Sequence, residues 1–205
     1  YYNLENGIGL TYQPVDRFRF SFRPQYTVIR HRLQYNETVN LISQSRHILS
    51  LLDQNTLSFV VRADLVISPN IAIQYYGEPF ISTGRYSDFG FVVNPLKALC
   101  EGQLERLTLI NSDQTIIDRL NIDEDGDQIS DYEIPNPNFS FAQFRSNLVL
   151  RWEYRPGSEL YLVWSQNMAD TDLPKGNLAG SLRDQVFSRT LSSTFLAKLT
   201  YRFHK

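Results

Sequence analysis

The sequence predicts an all-β fold of long antiparallel strands, and three observations carry that prediction. Apolar and polar residues alternate with a period of two over several stretches. Tight, turn-rich connections alternate with long ones. The chain is also aromatic-rich yet polar on average: 12 Tyr, 13 Phe and 2 Trp among 205 residues, 20 % charged, with a mean hydropathy of −0.32. A soluble β domain has this profile, and so does a membrane β-barrel, in which the two faces of each strand average out.

Seven strands follow in order. The first lies near 4–13. The second, near 17–31, sets Phe18, Phe20, Phe22, Tyr26 and Val28 against Arg17, Arg19, Arg23 and Gln25. The third, near 55–67, sets Leu57, Phe59, Val61, Ala63 and Leu65 against Arg62 and Asp64. A fourth lies near 70–80. The fifth, near 140–155, sets Phe144, Leu148, Leu150, Trp152 and Tyr154 against Arg145, Asn147, Arg151 and Glu153. A sixth lies near 158–168. The last, near 191–203, carries Phe195, Ala197, Leu199, Tyr201 and Phe203 opposite Lys198 and Arg202. Most approach the about 9–11 residues that a tilted strand needs to cross a bilayer.

The connections Pro14-Val15-Asp16, Ser68-Pro69-Asn70 and Arg155-Pro156-Gly157-Ser158 are tight turns. The others, near 32–54, 81–139 and 169–190, are long. Short turns at one end and long loops at the other are the order of periplasmic turns and extracellular loops in bacterial outer-membrane barrels.

Composition excludes several classes. Twenty Lys and Arg against 22 Asp and Glu leave a net charge of −2, without the basic excess of a nucleic-acid binder. The single cysteine, Cys100, excludes an internal disulfide and a cysteine-based zinc site. No apolar run is long enough for a membrane-spanning helix, which leaves strands as the way of crossing.

The predicted fold is therefore an antiparallel transmembrane β-barrel of outer-membrane type, one domain over residues 1–205. Lumen-lining positions are Arg17, Arg19, Arg23, Arg62, Asp64, Glu78, Arg145, Asn147, Arg151, Glu153, Lys198 and Arg202, with the acids expected to neutralise the arginines. Membrane-facing or girdle positions are Tyr12, Phe18, Phe20, Phe22, Trp152, Tyr154, Trp164, Tyr201 and Phe203. Single-chain bacterial barrels have even strand numbers, so seven strands and a start at Tyr1 read as the C-terminal part of a larger barrel. The competing fold is a soluble β-sandwich with a wet, arginine-rich face.

Several segments together resemble a known family: Tyr75-Tyr76-Gly77-Glu78-Pro79-Phe80, Ser82-Thr83-Gly84-Arg85-Tyr86-Ser87, Asn136-Pro137-Asn138-Phe139, Leu162-Val163-Trp164-Ser165 and above all Arg145 through Ser158. The chain resembles the C-terminal outer-membrane barrel domain of unassigned function, DUF5916-type, of Bacteroidota-like proteins. In that family a carbohydrate-binding-module family 9-like domain usually precedes the barrel. The resemblance covers most of residues 50–205 and implies the bacterial outer membrane as location. It also implies an aromatic last strand read by the barrel-assembly machinery. Nothing here corresponds to the sugar-binding domain.

Candidate chemistry is sparse. Asp123, Asp125, Asp127 and Asp131, with the Ile129 carbonyl, stand at positions 1, 3, 5, 9 and 7 of a loop of the kind that wraps oxygen ligands around Ca²⁺. Gln128 replaces the usual glycine at position 6, and Ile134 replaces the bidentate Glu at position 12. The alternative is an acidic, solvated loop. Asn94 through Leu107 reads as a short loop helix with a Pro95 start and a leucine stripe. His31, His47 and His204 share no metal spacing, and no GxSxG, P-loop or GxGxxG motif occurs. The expected role is a non-enzymatic membrane anchor or conduit, tied to glycan binding or uptake through another domain. Its expected partners are outer-membrane lipid, the assembly machinery and other outer-membrane or surface proteins. A soluble ligand-binding sandwich and an outer-membrane hydrolase using His31 or His47 are the alternatives.

Overall fold

Backbone pairing needs no hydrophobic side chains, and here it carries the strands well past their apolar stretches. The computed structural model describes residues 1–42, 44–94, 103–110, 118–186 and 188–203. All β-pairing in it is antiparallel. The strands are β1 (Tyr2–Gly7), β2 (Leu10–Val15), β3 (Phe18–Asn40), β4 (Ser45–Ser68), β5 (Ile71–Val92), β6 (Leu104–Arg106), β7 (Thr108–Leu109), β8 (Arg119–Asp123), β9 (Tyr132–Pro135), β10 (Phe139–Arg155), β11 (Ser158–Asp172) and β12 (Ser192–Thr200). Among the described residues one helix, α1 (Leu178–Val186), precedes β12.

The main sheet has the order β1-β3-β4-β5-β10-β11-β12, with β2 also on β3 and β6 on β5. β1 and β2 are one edge, broken at Ile8-Gly9 opposite Pro24, where the Ile8 amide bonds the Pro24 carbonyl at 3.2 Å. Proline donates nothing to a ladder, so a break is where a strand tolerates it. β12 is the other edge, and the two edges are not paired with each other. The fold is all-β with an open sheet among the described residues.

Four expectations are corrected here. The loop expected near 32–54 is the far half of the β3–β4 hairpin, closed at Leu41 and Gln44, whose backbones bond at 2.9 Å. Its residues mix polar and apolar on each face, so periodicity is silent while the ladder continues. Similarly, β5 runs to Val92, 12 residues beyond its expected end near 80. The short–long alternation of connections therefore fails at its first long loop. The helix expected from Asn94 to Leu107 falls partly outside the described residues; its end, Leu104–Arg106, is a strand on the edge of β5. Finally, α1 occupies part of the loop expected near 169–190. Its signal was present: Leu178, Leu182 and Val186 at spacing four, behind Asn177, whose Oδ1 caps the Gly180 amide at 2.7 Å.

The three tight turns, at residues 16–17, 69–70 and 156–157, all lie at one end of the sheet. The third has Pro156 followed by Gly157 at φ 76°, the left-handed conformation that a type II turn requires at that position. At the other end two small cores form. On one face β7, β8 and β9 make a three-stranded sheet that packs Leu107, Leu120, Ile122 and Ile134 onto Ile48, Phe89 and Phe91. On the opposite face α1 packs Leu182 and Val186 onto Ile81, Ala142 and Met168.

Leu182 is 6 % exposed and anchors α1. Truncating a buried leucine typically costs about 2–5 kcal/mol. Leu182→Ala should therefore accelerate amide exchange across Leu178–Val186 by orders of magnitude, while β4 and β10 stay protected; mass-spectrometric hydrogen exchange reads this directly.

Candidate functional site

Directly paired residues project to the same side of a sheet, so the register assigns every strand residue to one of two faces. One face is apolar along nine residues of each central strand, from Leu57 to Leu65 on β4 and from Phe144 to Trp152 on β10. Its rows run across the sheet. Phe18, Leu65, Ile73, Leu150, Leu162 and Ala197 form one; Phe20, Ala63, Tyr75, Leu148, Trp164 and Phe195 form the next. Tyr12 joins this face opposite Phe20, and Trp152 lies opposite Leu160. One row is polar, with Gly77, Ser146, Gln166 and Ser193, and Tyr75 folds over Gly77 so closely that a Cβ there would sit 2.6 Å from its hydroxyl.

Much of this band meets no protein. Phe195 is 76 % and Leu199 67 % exposed, while Trp164 and Phe195 stack at 5.6 Å. Beyond the tight turns, Trp152 contacts Tyr154 at 6.1 Å and Tyr201 contacts Phe203 at 4.7 Å, which gathers aromatics at that end.

The opposite face is mixed but carries the charged side chains over the same height. Arg19, Asp64 and Gln74 share a row that continues through Val149, Val163 and Leu196; Ser21, Arg62, Tyr76, Asn147 and Ser165 share the next, and Glu78, Arg145 and Asn167 another, with Arg23 opposite Val60. Arg151 and Lys198 flank Tyr161, and Glu153 pairs with Glu159. Arg17 sits in the first tight turn, and Arg202 follows β12, its amide bonded to Ser158 Oγ at 3.0 Å.

The acids do not neutralise the arginines as expected. Among the described residues Asp64, Glu78 and Glu153 form no ion pair. Glu78 accepts the Tyr76 hydroxyl at 2.5 Å, and Glu153 accepts the Gly157 amide at 3.0 Å, serving the turn. The paired acid is Glu159, which Arg151 meets at 2.5 Å and Tyr161 at 3.2 Å. The sequence places Glu159 on the sixth strand, and the register sets it opposite Glu153, one step along its face from Tyr161, the residue opposite Arg151. Arg62 instead lies over the Tyr76 ring at 5.4 Å, and Asn147 accepts Ser165 at 2.6 Å.

The acidic loop connects β8 to β9. Ligand oxygens of Asp123, Asp125 and Asp131 lie within 4.8 Å of one another. Asp123 is 2 % exposed and accepts the amides of Gly126 at 2.6 Å and Gln128 at 2.9 Å, which winds the loop around it. Gln128 takes φ 69°, so the position where glycine is usual adopts the left-handed turn without one. Asp127 is outside the carboxylate trio; its Oδ1 accepts the Ile129 amide at 2.7 Å. Ile134 is fully buried in the core, and Glu133 pairs with Arg119 at 2.8 Å. No bidentate acid thus completes the set. Three converging carboxylates repel, and a hard divalent cation with oxygen preference relieves that repulsion.

Beside the loop a cavity of about 570 Å³ is lined by Gln44, Arg46, Glu105, Glu124, Asp125 and Tyr132. Arg46 pairs with Glu124 and lies 4.0 Å over Phe91. Burial, then the nearby Glu124 carboxylate, pushes the Tyr132 phenol well above its ordinary range. Among the described residues neither His31 nor His47 meets a serine hydroxyl. His47 Nδ1 bonds Thr38 Oγ1 at 2.8 Å, and His31 meets Tyr1 edge-on at 5.5 Å. His204 and Cys100 lie outside the described residues.

Calcium titration of the folded chain should show weak saturable binding, with a Kd of about 10⁻⁴–10⁻³ M as in extracellular modules. Asp131→Asn should abolish it, whereas Asp127→Asn should leave it nearly intact; isothermal titration calorimetry separates the two variants.

No curated protein and no solved structure matches the chain. One family does, described as a domain of unknown function, DUF5916, and it spans residues 2–203. The chain therefore belongs to the DUF5916 family.

Proposed function

We propose that this domain is part of an outer-membrane β-barrel that anchors, or forms a conduit for, a glycan-handling domain or partner. The observation that carries the reading is the apolar band on one face of a single-layer sheet. It is nine residues tall on the central strands, interrupted by one row of Gly77, Ser146, Gln166 and Ser193, and matches the about 9–11 residues a tilted strand uses to span a bilayer. The other face carries the Arg, Asp, Glu and Asn side chains over the same height, with a row of Val149, Val163 and Leu196 among them, which suits a largely polar lumen. In an open sheet, β1/β2 and β12 are the edges at which further strands would close the barrel, since exposed long edges otherwise invite association. The alternating aromatic strand β12, followed by Tyr201 and Phe203, is the segment the assembly machinery would engage. The excess of Arg over acid on the polar face would make an open lumen prefer anions.

A β-sandwich covers its apolar face with a second sheet. Here the second sheet packs on the other face, among Ile48, Phe89 and Phe91, and among the described residues α1 alone covers the apolar band, over its upper rows from Phe59 and Phe144 to Ile81. A hydrolase needs a base beside a nucleophile, and neither His31 nor His47 meets a serine hydroxyl among the described residues.

Two adjacent residues test the membrane reading. Leu148 lies mid-band on the apolar face and Val149 on the polar face. Arginine facing lipid at mid-depth costs about 2–4 kcal/mol, whereas lumenal substitution is tolerated. Leu148→Arg should abolish insertion into vesicles and heat-modifiable gel migration, and Val149→Arg should preserve both. Equal behaviour of the two variants in a chain that stays soluble without detergent would sink the reading.

A further inference from the structure

The apolar band gives way to polar residues at its upper edge. Tyr26, Leu57, Ile81 and Ala142 form its last mainly apolar row, which ends in Asp170 on β11. The next row on the same face is Val28, Asn55, Thr83, Ser140 and Asp172, and above that stand Arg30, Asp53 and Arg85. The segment leading into α1 lies across this rim and encloses a cavity of about 210 Å³, lined by Tyr26, Asn55, Thr83, Arg85, Lys175 and the first turn of α1.

The cavity is built for an anion. Arg85 is exposed and makes no ion pair among the described residues. Lys175 reaches Asp172 at 2.7 Å yet keeps most of its side chain in solvent, and Arg30 contacts Asp53 at 2.6 Å without hydrogen-bond alignment. Two cations, Arg85 and Lys175, thus line the cavity itself, with Asp172 beside Lys175, while the Arg30–Asp53 pair stands in the neighbouring pocket one row above. α1 begins beside the cavity; Asn177 caps its Gly180 amide, and no acidic side chain occupies its first turn, so its positive end carries no neutralising charge. Below the cavity lies an apolar face; above it lies a polar rim.

We propose that this pocket binds the phosphoryl group of a membrane lipid headgroup, with the acyl chains lying along the band beneath. The inference rests on the membrane reading, because only there does a lipid present its phosphate at this height. Guanidinium and ammonium groups with a helix N-terminus form short, charge-assisted contacts to phosphate oxygens.

The test uses the full chain reconstituted in phosphatidylcholine vesicles with and without phosphatidic acid, followed by native mass spectrometry of retained lipid. Phosphatidic acid should be retained in preference to phosphatidylcholine. Arg85→Ala/Lys175→Ala should weaken that retention by about tenfold or more, the loss expected for a charge-assisted hydrogen bond. Arg85→Lys/Lys175→Arg should restore it, and Arg106→Ala/Arg119→Ala, which removes equal charge from the small sheet and its neighbour, should leave it unchanged. Equal retention by the double alanine variant overturns the site while leaving the membrane reading intact. Competition by millimolar inorganic phosphate alone overturns the lipid as its occupant. A chain that fails to float with the vesicles overturns both readings.

Discussion

A slip of one residue in any central strand would exchange its two faces, because side chains alternate with a period of two. This register constraint governs the molecule. Phe20, Ala63, Tyr75, Leu148, Trp164 and Phe195 share one row through five consecutive pairings, and the Arg19, Asp64, Gln74 row lies behind it. The tight turns at 16–17, 69–70 and 156–157 hold that register from one end. Breaks in the ladder are kept away from the band's centre: two irregularities in β3 beyond His31, and one in β5 at Asp88, whose φ of 49° turns the strand above the band.

The legible part of this structure was the part with contrast between faces. Arg17–Val28 and Phe144–Tyr154 alternate so strictly that their strands and faces follow from the residues alone. Residues 32–54 do not, since Gln34, Asn36 and Glu37 sit among Leu33, Tyr35 and Val39, and the hairpin there depends on backbone pairing and on a small sheet distant in sequence. The acidic loop was legible as a loop of oxygen ligands, but not which acids converge. Asp127 turns back on its own backbone, and Glu133 is taken by Arg119, a residue that only the β8–β9 pairing brings alongside. α1 was written in Leu178, Leu182, Val186 and the Asn177 cap, and lay hidden only because its partners are on β5 and β10.

Neutralisation on the polar face follows reach rather than sequence pattern. Glu78 lies opposite Arg145, yet it is occupied by Tyr76; Asp64 lies opposite Arg19, which donates to Gln13 at 3.1 Å. Arginine has five donors in a fixed fork and can be satisfied by amides and rings as well as by carboxylates. The face therefore retains positive charge even with acids beside it.

The length of β3, β4 and β5 has a physical reason in the exchange of faces partway along them. Below the row of Asn55 and Thr83, the apolar band is on the face that bears Phe20 and Leu148, and the other face carries the charged side chains. Above it, Asp53 and Arg85 occupy the first face, while Leu52, Ser50 and Ile48 turn buried on the second, under β7, β8 and β9. The lower half is thus apolar outside, as a lipid setting demands, and the upper half apolar inside, as water demands. On the membrane reading this inversion marks the bilayer surface without reference to any loop. It also sets the three-stranded sheet, with Arg46, Glu124 and the three-carboxylate loop, over the face that bears the arginines.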